Sequence, residues 1–354
     1  MVNKKLIAIV IVIIAIVAII AGLVFLPSSA NANSINGGAV TKDCSGTPWF
    51  VGYEKGFFDK HNVNVVDKGD IPYAQQPAAL SSGELNVYDG HPNALINLIK
   101  SGVPVKAVVV TGAEPINGSL DEEHMHWLVK ENSSLKSPED FEKFVKDNGR
   151  KVKVGVLATG VCADLETNAW LRKNNITPND TVEYVTLPDN QQEQALLQGD
   201  IDIATLHPPF FAKAEKDSNE TNDSSKKLRI LTTSTEAFGP AAGLSFAIVN
   251  EDFIKEHPDT VRNFIKAFKD ADRWSNDNRE EAGEITAKNI DLPYTANVHW
   301  YSPSGAIDEE VKGYIQDWID AMEADGLIEH GEFVPEDLYT SEFNDTWDTS
   351  LPNQ

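Results

Sequence analysis

The chain has 354 residues, enough for two domains that each bury a core, and 30 basic against 54 acidic residues give a formal net charge of −24. The acidic residues are spread along the chain rather than gathered in a tail, a distribution that serves solubility and repels phosphate backbones, so nucleic acid is excluded as a partner. Cys44 and Cys162 show no metal-ligand spacing, and neither a metal nor a cofactor is expected.

At the N-terminus Lys4 and Lys5 precede Leu6 to Leu26, twenty-one residues without a charge. As a helix this run spans about 30 Å, the thickness of a bilayer core. The lysines favour the cytoplasmic side, which sends the rest of the chain outside. Residues 1–27 are therefore expected to be a retained transmembrane helix. The alternative is a signal segment cleaved near Ala30-Asn31-Ala32. Residues 28–36, small and polar, form a linker. Seven Asn-x-Ser/Thr sequons, from Asn117 to Asn344, agree with an exported chain.

Helices and strands then alternate, the pattern of an α/β protein with mainly parallel sheets. A helix is predicted from Pro48 to Lys55 with Thr47 as its N-cap, followed by the strand "HNVNVV". A helix from Tyr73 to Ser82 ends at Gly83, "ELNVY" is the next strand, Pro92 opens a helix, and "VPVKAVVV" is a buried strand. The same order returns: a helix near Ser137, "KVKVGVL", a helix over Asp164 to Asn174, "TVEYVTL", a helix from Gln191 to Gln198 ending at Gly199, and "DIDIATL" running into His207. "LRILTT" follows as a strand, and "LSFAIV" begins a helical C-terminal third.

The two halves are related by more than order. "GELNVYDGHP" from Gly83 and "GDIDIATLHP" from Gly199 align at one offset of 116 positions, which pairs His91-Pro92 with His207-Pro208. This reads as an internal repeat. Ligands of open α/β sheets bind where a strand's carboxyl end meets the next helix, so both histidines are expected to line one cleft if the lobes face each other. Plain helix capping by each histidine is the alternative.

"TPWFVGYEKGFFDKHNVNVV", "ALSSGELNVYDGHP", "KVKVGVLATGVCADLETNAWLRKNNI" and "ALLQGDIDIATLHPPFFAKAEK" occur in an order that resembles the solute-binding proteins for nitrate, sulfonate, taurine and bicarbonate, the group related to the THI5-like pyrimidine proteins. The likeness covers about Cys44 to Asn289, with His207-Pro208 standing where the family usually has Glu-Pro. It implies a two-lobed type II periplasmic binding protein fold, a hinged trap, behind the N-terminal transmembrane helix. The lobes would comprise 37–131 (lobe one), 132–239 (lobe two) and 240–354 (the return to lobe one with the C-terminal helices).

The implied function is that of an extracytoplasmic receptor, not an enzyme, which captures a small sulfonate-like or zwitterionic solute as a monomer. It would hand that solute to an ABC permease with its ATPase, while attached to the membrane through the N-terminal helix. An aminopyrimidine receptor is the alternative, and a THI5-like pyrimidine-synthesis enzyme a further one, although the cysteine-rich motif of those enzymes is missing from this chain. Carried over by motif, the pocket positions are Thr47 and Trp49, Asp89 and His91, Thr159, Gly160, Cys162 and Asp164, and His207 and Phe210, with Glu114 after the buried strand. Trp49 as a core residue and Asp89 as a turn-former are the plainer readings of those two. None of these loops has an Arg or Lys, so helix N-termini would hold an oxyanion. A disulfide between Cys44 and Cys162 would lock such a trap, and two free thiols are expected.

Overall fold

The computed structural model describes residues 33–37, 46–69, 71, 73–115, 118–292, 301 and 305–346. The apolar segment Leu6 to Leu26, the cleavage motif at Ala30, Cys44 and the Asn117 sequon lie outside the described residues. Among the described residues no helix is long and apolar enough to cross a membrane.

Two sheets build the molecule. In the first, β3 (Val87–Gly90) and β4 (Val105–Gly112) flank β10 (Ser245–Asn250), which runs antiparallel to both. A short parallel pair, β1 (Ser34–Gly37) and β2 (Asn64–Asp67), extends this lobe, joined to it where Asn86 N–H donates to the Asn36 carbonyl at 2.8 Å. The second sheet has the order β7-β6-β8-β5-β9, with β5 at His126–Lys130, β6 at Val152–Val156, β7 at Val182–Thr186, β8 at Ile203–Leu206 and β9 at Leu228–Thr233. Its β6–β7 and β6–β8 ladders are parallel, and those of β5 with β8 and β9 are antiparallel. The three-stranded sheet thus has only antiparallel ladders and the five-stranded one is mixed, where mainly parallel sheets were expected.

The reason lies in two crossings of the chain. "LSFAIV" does not open a helical segment; it is β10, every residue of which is buried, laid between the two strands of lobe one after the chain returns from lobe two. A return strand arrives from the opposite end and so pairs antiparallel. The outward crossing runs from β4 to β5, and β5 already belongs to the second sheet. The two crossings touch at Gly243, where a Cβ would stand 3.0 Å from the backbone of Ala113 and Glu114. A side chain there would force the two crossings apart by a few tenths of an ångström.

Helices cover the sheets. Those that matter here are α1 (Thr47–Glu54), α2 (Gln76–Ser82), α3 (Pro92–Lys100), α4 (Cys162–Lys173), α5 (Asp189–Gln198), α6 (Phe210–Glu220), α7 (Pro258–Asp277), α8 (Arg279–Asn289) and α9 (Glu309–Ala324). Gly83 and Gly199 end α2 and α5 in the left-handed region at φ 74° and 86°, matching stops in the two repeat copies. Beyond the following strands the copies differ. Pro92 opens α3 directly after His91, whereas α6 begins only at Phe210, past Pro208 and Pro209.

The lobes meet through α4. Its Cys162 and Leu165 pack into the apolar core of lobe one, and its Asn168 donates to Asp325 beyond α9 at 2.9 Å, beside an Arg172–Asp325 ion pair. From the other side, Asn93 of α3 donates to the Gly160 carbonyl at 3.0 Å.

Candidate functional site

At the lobe boundary three imidazoles and a thiol converge. His91, between β3 and α3, has Nδ1 2.6 Å from the Leu244 carbonyl, so its Nδ1–H donates there and Nε2 is left for Cys162. Its ring lies on the Trp318 indole of α9, centroids 5.4 Å apart and 17° from parallel. His207, at the end of β8, is only 5% exposed. Its Nδ1 stands 2.7 Å from Asp189 Oδ2, an oxygen that also accepts from the His207 backbone N–H at 3.0 Å. Between them stands His124, just ahead of β5, with its ring 4.7 Å from that of His91 and 4.8 Å from that of His207. Cys162 opens α4 and places Sγ 3.4 Å from His207 Nε2. Donor atoms of His91, His124 and Cys162 all lie within 4.8 Å of one another.

The electrostatics follow from this crowding. Burial pushes the Cys162 thiol up, but the charges and hydrogen bonds of His207 and His91 outweigh it and bring the pKa down to about 6. Burial works against the His207 imidazolium, yet Asp189 and the Cys162 sulfur hold its pKa well above the usual histidine range. His91 moves up for a similar reason, through Cys162 and the Leu244 carbonyl against its burial. Glu114, 4% exposed, is raised to about 8 by burial, and its oxygens accept from the His124 N–H at 3.2 and 3.3 Å. Glu166 sits one helical turn after Cys162, fully buried, with both oxygens lacking a hydrogen-bond partner among the described residues. Burial drives its carboxyl far above the usual range, with Cys162 and Glu114 adding to the effect.

The positions singled out from sequence divide into two groups. His91, Cys162 and His207 come together, and Glu114 stands behind them. Gly160, at φ 80°, and exposed Thr159 form the turn before α4; the Gly160 N–H donates to Asp164 Oδ2 at 2.6 Å. Asp164, raised by burial to about 6, therefore fastens its own turn. Phe210 begins α6 and packs, partly buried, against the apolar core of lobe two. The remaining three lie elsewhere. Thr47 is inside α1 rather than capping it, and its hydroxyl meets that of Thr286 on α8 at 2.6 Å. Trp49 is a core residue of lobe one against Phe264 and Phe268. Asp89 pairs with Ala247 in the β3–β10 ladder and its charge acts on buried Asp272 of α7.

Sequence reading missed His124, Asp189, Glu166 and Trp318. His124 sits in "EEHMH", on a crossing for which no element was predicted. Asp189 escaped because α5 begins two residues before its predicted start at Gln191. Cys162 is a free thiol; Cys44 is not among the described residues.

Chemically, the cluster can do three things. Imidazoles and thiolate can ligate a soft or borderline metal ion. The α3 and α4 N-termini and the His207 imidazolium can hold an oxyanion. The Cys162–His207–Asp189 line also has the order of a thiol nucleophile, base and orienting carboxylate.

Comparison with known proteins narrows the setting. Residues 39–290 match the profile of the NMT1-like family. The bicarbonate-binding protein CmpA of Synechococcus elongatus is 21% identical over 257 residues, which cover 67% of this chain and 53% of that protein. The chain spans about a third to a half of the length of the first curated relatives it matches. Among solved structures, the periplasmic aliphatic sulphonate binding protein SsuA of Escherichia coli superposes with a TM-score of 0.61 at 16% identity, covering 84% of this chain and 92% of SsuA. The desulfurization enzyme DSZB superposes at 0.59 and 13% identity, covering 89% and 98% of the two chains. These likenesses establish the two-lobed α/β fold of periplasmic binding proteins; because DSZB shares it, the fold alone does not separate binding from catalysis.

Proposed function

As the chain belongs to the NMT1-like family, we propose that it is the extracytoplasmic solute receptor of an ABC importer. In this reading it closes two lobes on a small solute and presents the closed form to a permease and its ATPase. One observation carries it: side chains from both lobes, His91 on one and His207 on the other, flank the same His124 ring at the crossing. A ligand that touches both sides gains its full contacts only when the lobes are shut, so its binding energy shifts the open–closed balance. No bond need be made or broken.

The solute class expected from the resemblance, a sulfonate-like anion or zwitterion, has two supports. The α4 N-terminus opens on the cluster, and His207 is kept cationic by Asp189, so an oxyanion finds positive charge without Arg or Lys. The segment Leu6 to Leu26 would hold the receptor at the outer membrane face. Calorimetric titration with taurine, alkanesulfonates, nitrate, bicarbonate and hydroxymethyl-pyrimidine is expected to give one tight ligand from the acidic members. Heat only with the pyrimidine would move the reading to an aminopyrimidine receptor, and silence across the panel would defeat the solute class.

A further inference from the structure

We propose that the cleft holds a borderline divalent transition-metal ion such as zinc, ligated by nitrogens of His91, His124 and His207 and the sulfur of Cys162, which ties the two lobes together. This inference rests on the receptor reading only for the use of the ion; the site itself stands on geometry. It departs from the sequence reading, which expected no metal because the cysteine spacing was uninformative. The ligands come from four separate places in the chain, so no local spacing could have announced them.

Three imidazoles and one thiolate form a donor set that selects zinc-like ions over magnesium or calcium, which prefer oxygen. Tetrahedral zinc, with Zn–S about 2.3 Å and Zn–N about 2.0–2.1 Å, sets sulfur and nitrogen about 3.5 Å apart. Cys162 Sγ and His207 Nε2 are separated by 3.4 Å. The donor atoms of His91, His124 and Cys162, within 4.8 Å of one another, need to close by about 1 Å onto the ion.

The surroundings of two ligands are those of metal-bound histidines. His207 gives its Nδ1–H to a buried carboxylate and His91 gives its own to a backbone carbonyl, so in both Nε2 is the ligating nitrogen, and an ion bound there takes the place of any Nε2 proton. A thiol nucleophile needs one imidazole and its carboxylate and does not call for three rings around one sulfur. Glu166 is the independent sign. A fully buried carboxyl without a hydrogen-bond partner among the described residues, one turn from Cys162, is costly to bury. A divalent cation beside it offsets that cost, since the Cys162 thiolate and the Glu166 carboxylate together balance its charge.

The placement couples the ion to closure. His91 belongs to lobe one, Cys162 and His207 to lobe two, and His124 to the crossing between them. Four-coordinate zinc can also accept a fifth ligand, so an acidic solute can bind the ion itself.

The test uses the full chain in detergent, stripped with a chelator and titrated with Co²⁺. One equivalent is expected to bind with a sulfur-to-cobalt charge-transfer band and the intense visible bands of a tetrahedral site. Cys162→Ser is expected to abolish the charge-transfer band and His124→Ala to weaken binding at least 100-fold. His330→Ala, outside the cleft, leaves the spectrum unchanged, and circular dichroism checks each variant's fold. Zinc is further expected to slow iodoacetamide alkylation of Cys162, read by peptide mapping, at least tenfold. A weak octahedral cobalt spectrum that survives Cys162→Ser, or alkylation indifferent to zinc, overturns the proposal. Sulfonate binding in that event leaves the receptor reading standing. A tetrahedral site in a chain that answers no solute upholds the metal and counts against the receptor.

Discussion

His91 and His207 hold the same place in the two repeat copies, yet their surroundings differ in kind. His91 leans on a neutral backbone carbonyl and an indole; His207 leans on the carboxylate of Asp189. The two corners share the place of the donor atom but differ in its basicity, because a carboxylate behind an imidazole strengthens it as a base far more than an amide oxygen does. One lobe thus presents a tightly held, strongly basic ligand and the other a weaker one on an apolar shelf. If the molecule is the receptor proposed above, such asymmetry would let one lobe retain the ligand while the other lets go.

Removing each ring is the strongest way to break this comparison. His207→Ala is expected to cost cobalt affinity at least tenfold more than His91→Ala in the same titration; equal losses would mean that the two corners are equivalent after all. A gentler probe is Asp189→Asn, which keeps the hydrogen-bond geometry and removes the charge. A loss of about 10–100-fold in metal affinity is expected with the thermal unfolding curve little changed, and an unaltered affinity would make Asp189 merely structural.

The lobes also differ in what they do with a buried, unpartnered carboxyl. Glu166 is buried within reach of the charges of Cys162, Glu114 and His207, whereas Asp272 of α7 is fully buried in lobe one, again with both oxygens unpartnered among the described residues. Burial first, then the charge of Asp89, pushes the Asp272 carboxyl well above its usual range. The folded state therefore keeps a proton that the unfolded chain releases. Its contribution is most favourable below the ordinary aspartate range and is lost as pH rises toward the raised value. Asp272→Leu is expected to gain about 1–3 kcal/mol in urea denaturation at neutral pH and nothing in acid. A gain independent of pH would show that packing, not ionisation, sets the effect. The smallest expected change concerns lobe contact: Asn93→Ala removes the bond to the Gly160 carbonyl and should weaken closure by about 1 kcal/mol, visible as a more open form in small-angle scattering.

Much of this arrangement was legible in the sequence because the signals were local. Glycine stops, the repeated strand ending in His-Pro, and the helix expected from Asp164, which begins at Cys162, each follow from short-range rules and fall within two residues of expectation. What escaped was non-local. β10 reads as an ordinary apolar run, and nothing in it announces insertion between β3 and β4. His124 lies on a crossing whose position is set by two sheets at once, and Asp189 depended on a helix boundary, the least certain feature of a sequence pattern. Trp49 misled because an aromatic beside a predicted pocket loop looks the same whether it faces the cleft or the core.

Trp318 joins the far end of the chain to this arrangement. Its indole carries the His91 ring on one face, meets Phe238 edge-on at 4.9 Å, and donates from Nε1 to the Ala241 carbonyl at 2.8 Å in the returning crossing. One of the chain's seven tryptophans is thereby joined to the His91 imidazole and to the returning crossing together. The part of the emission that is lost in Trp318→Phe would then report filling of the cleft without any attached dye.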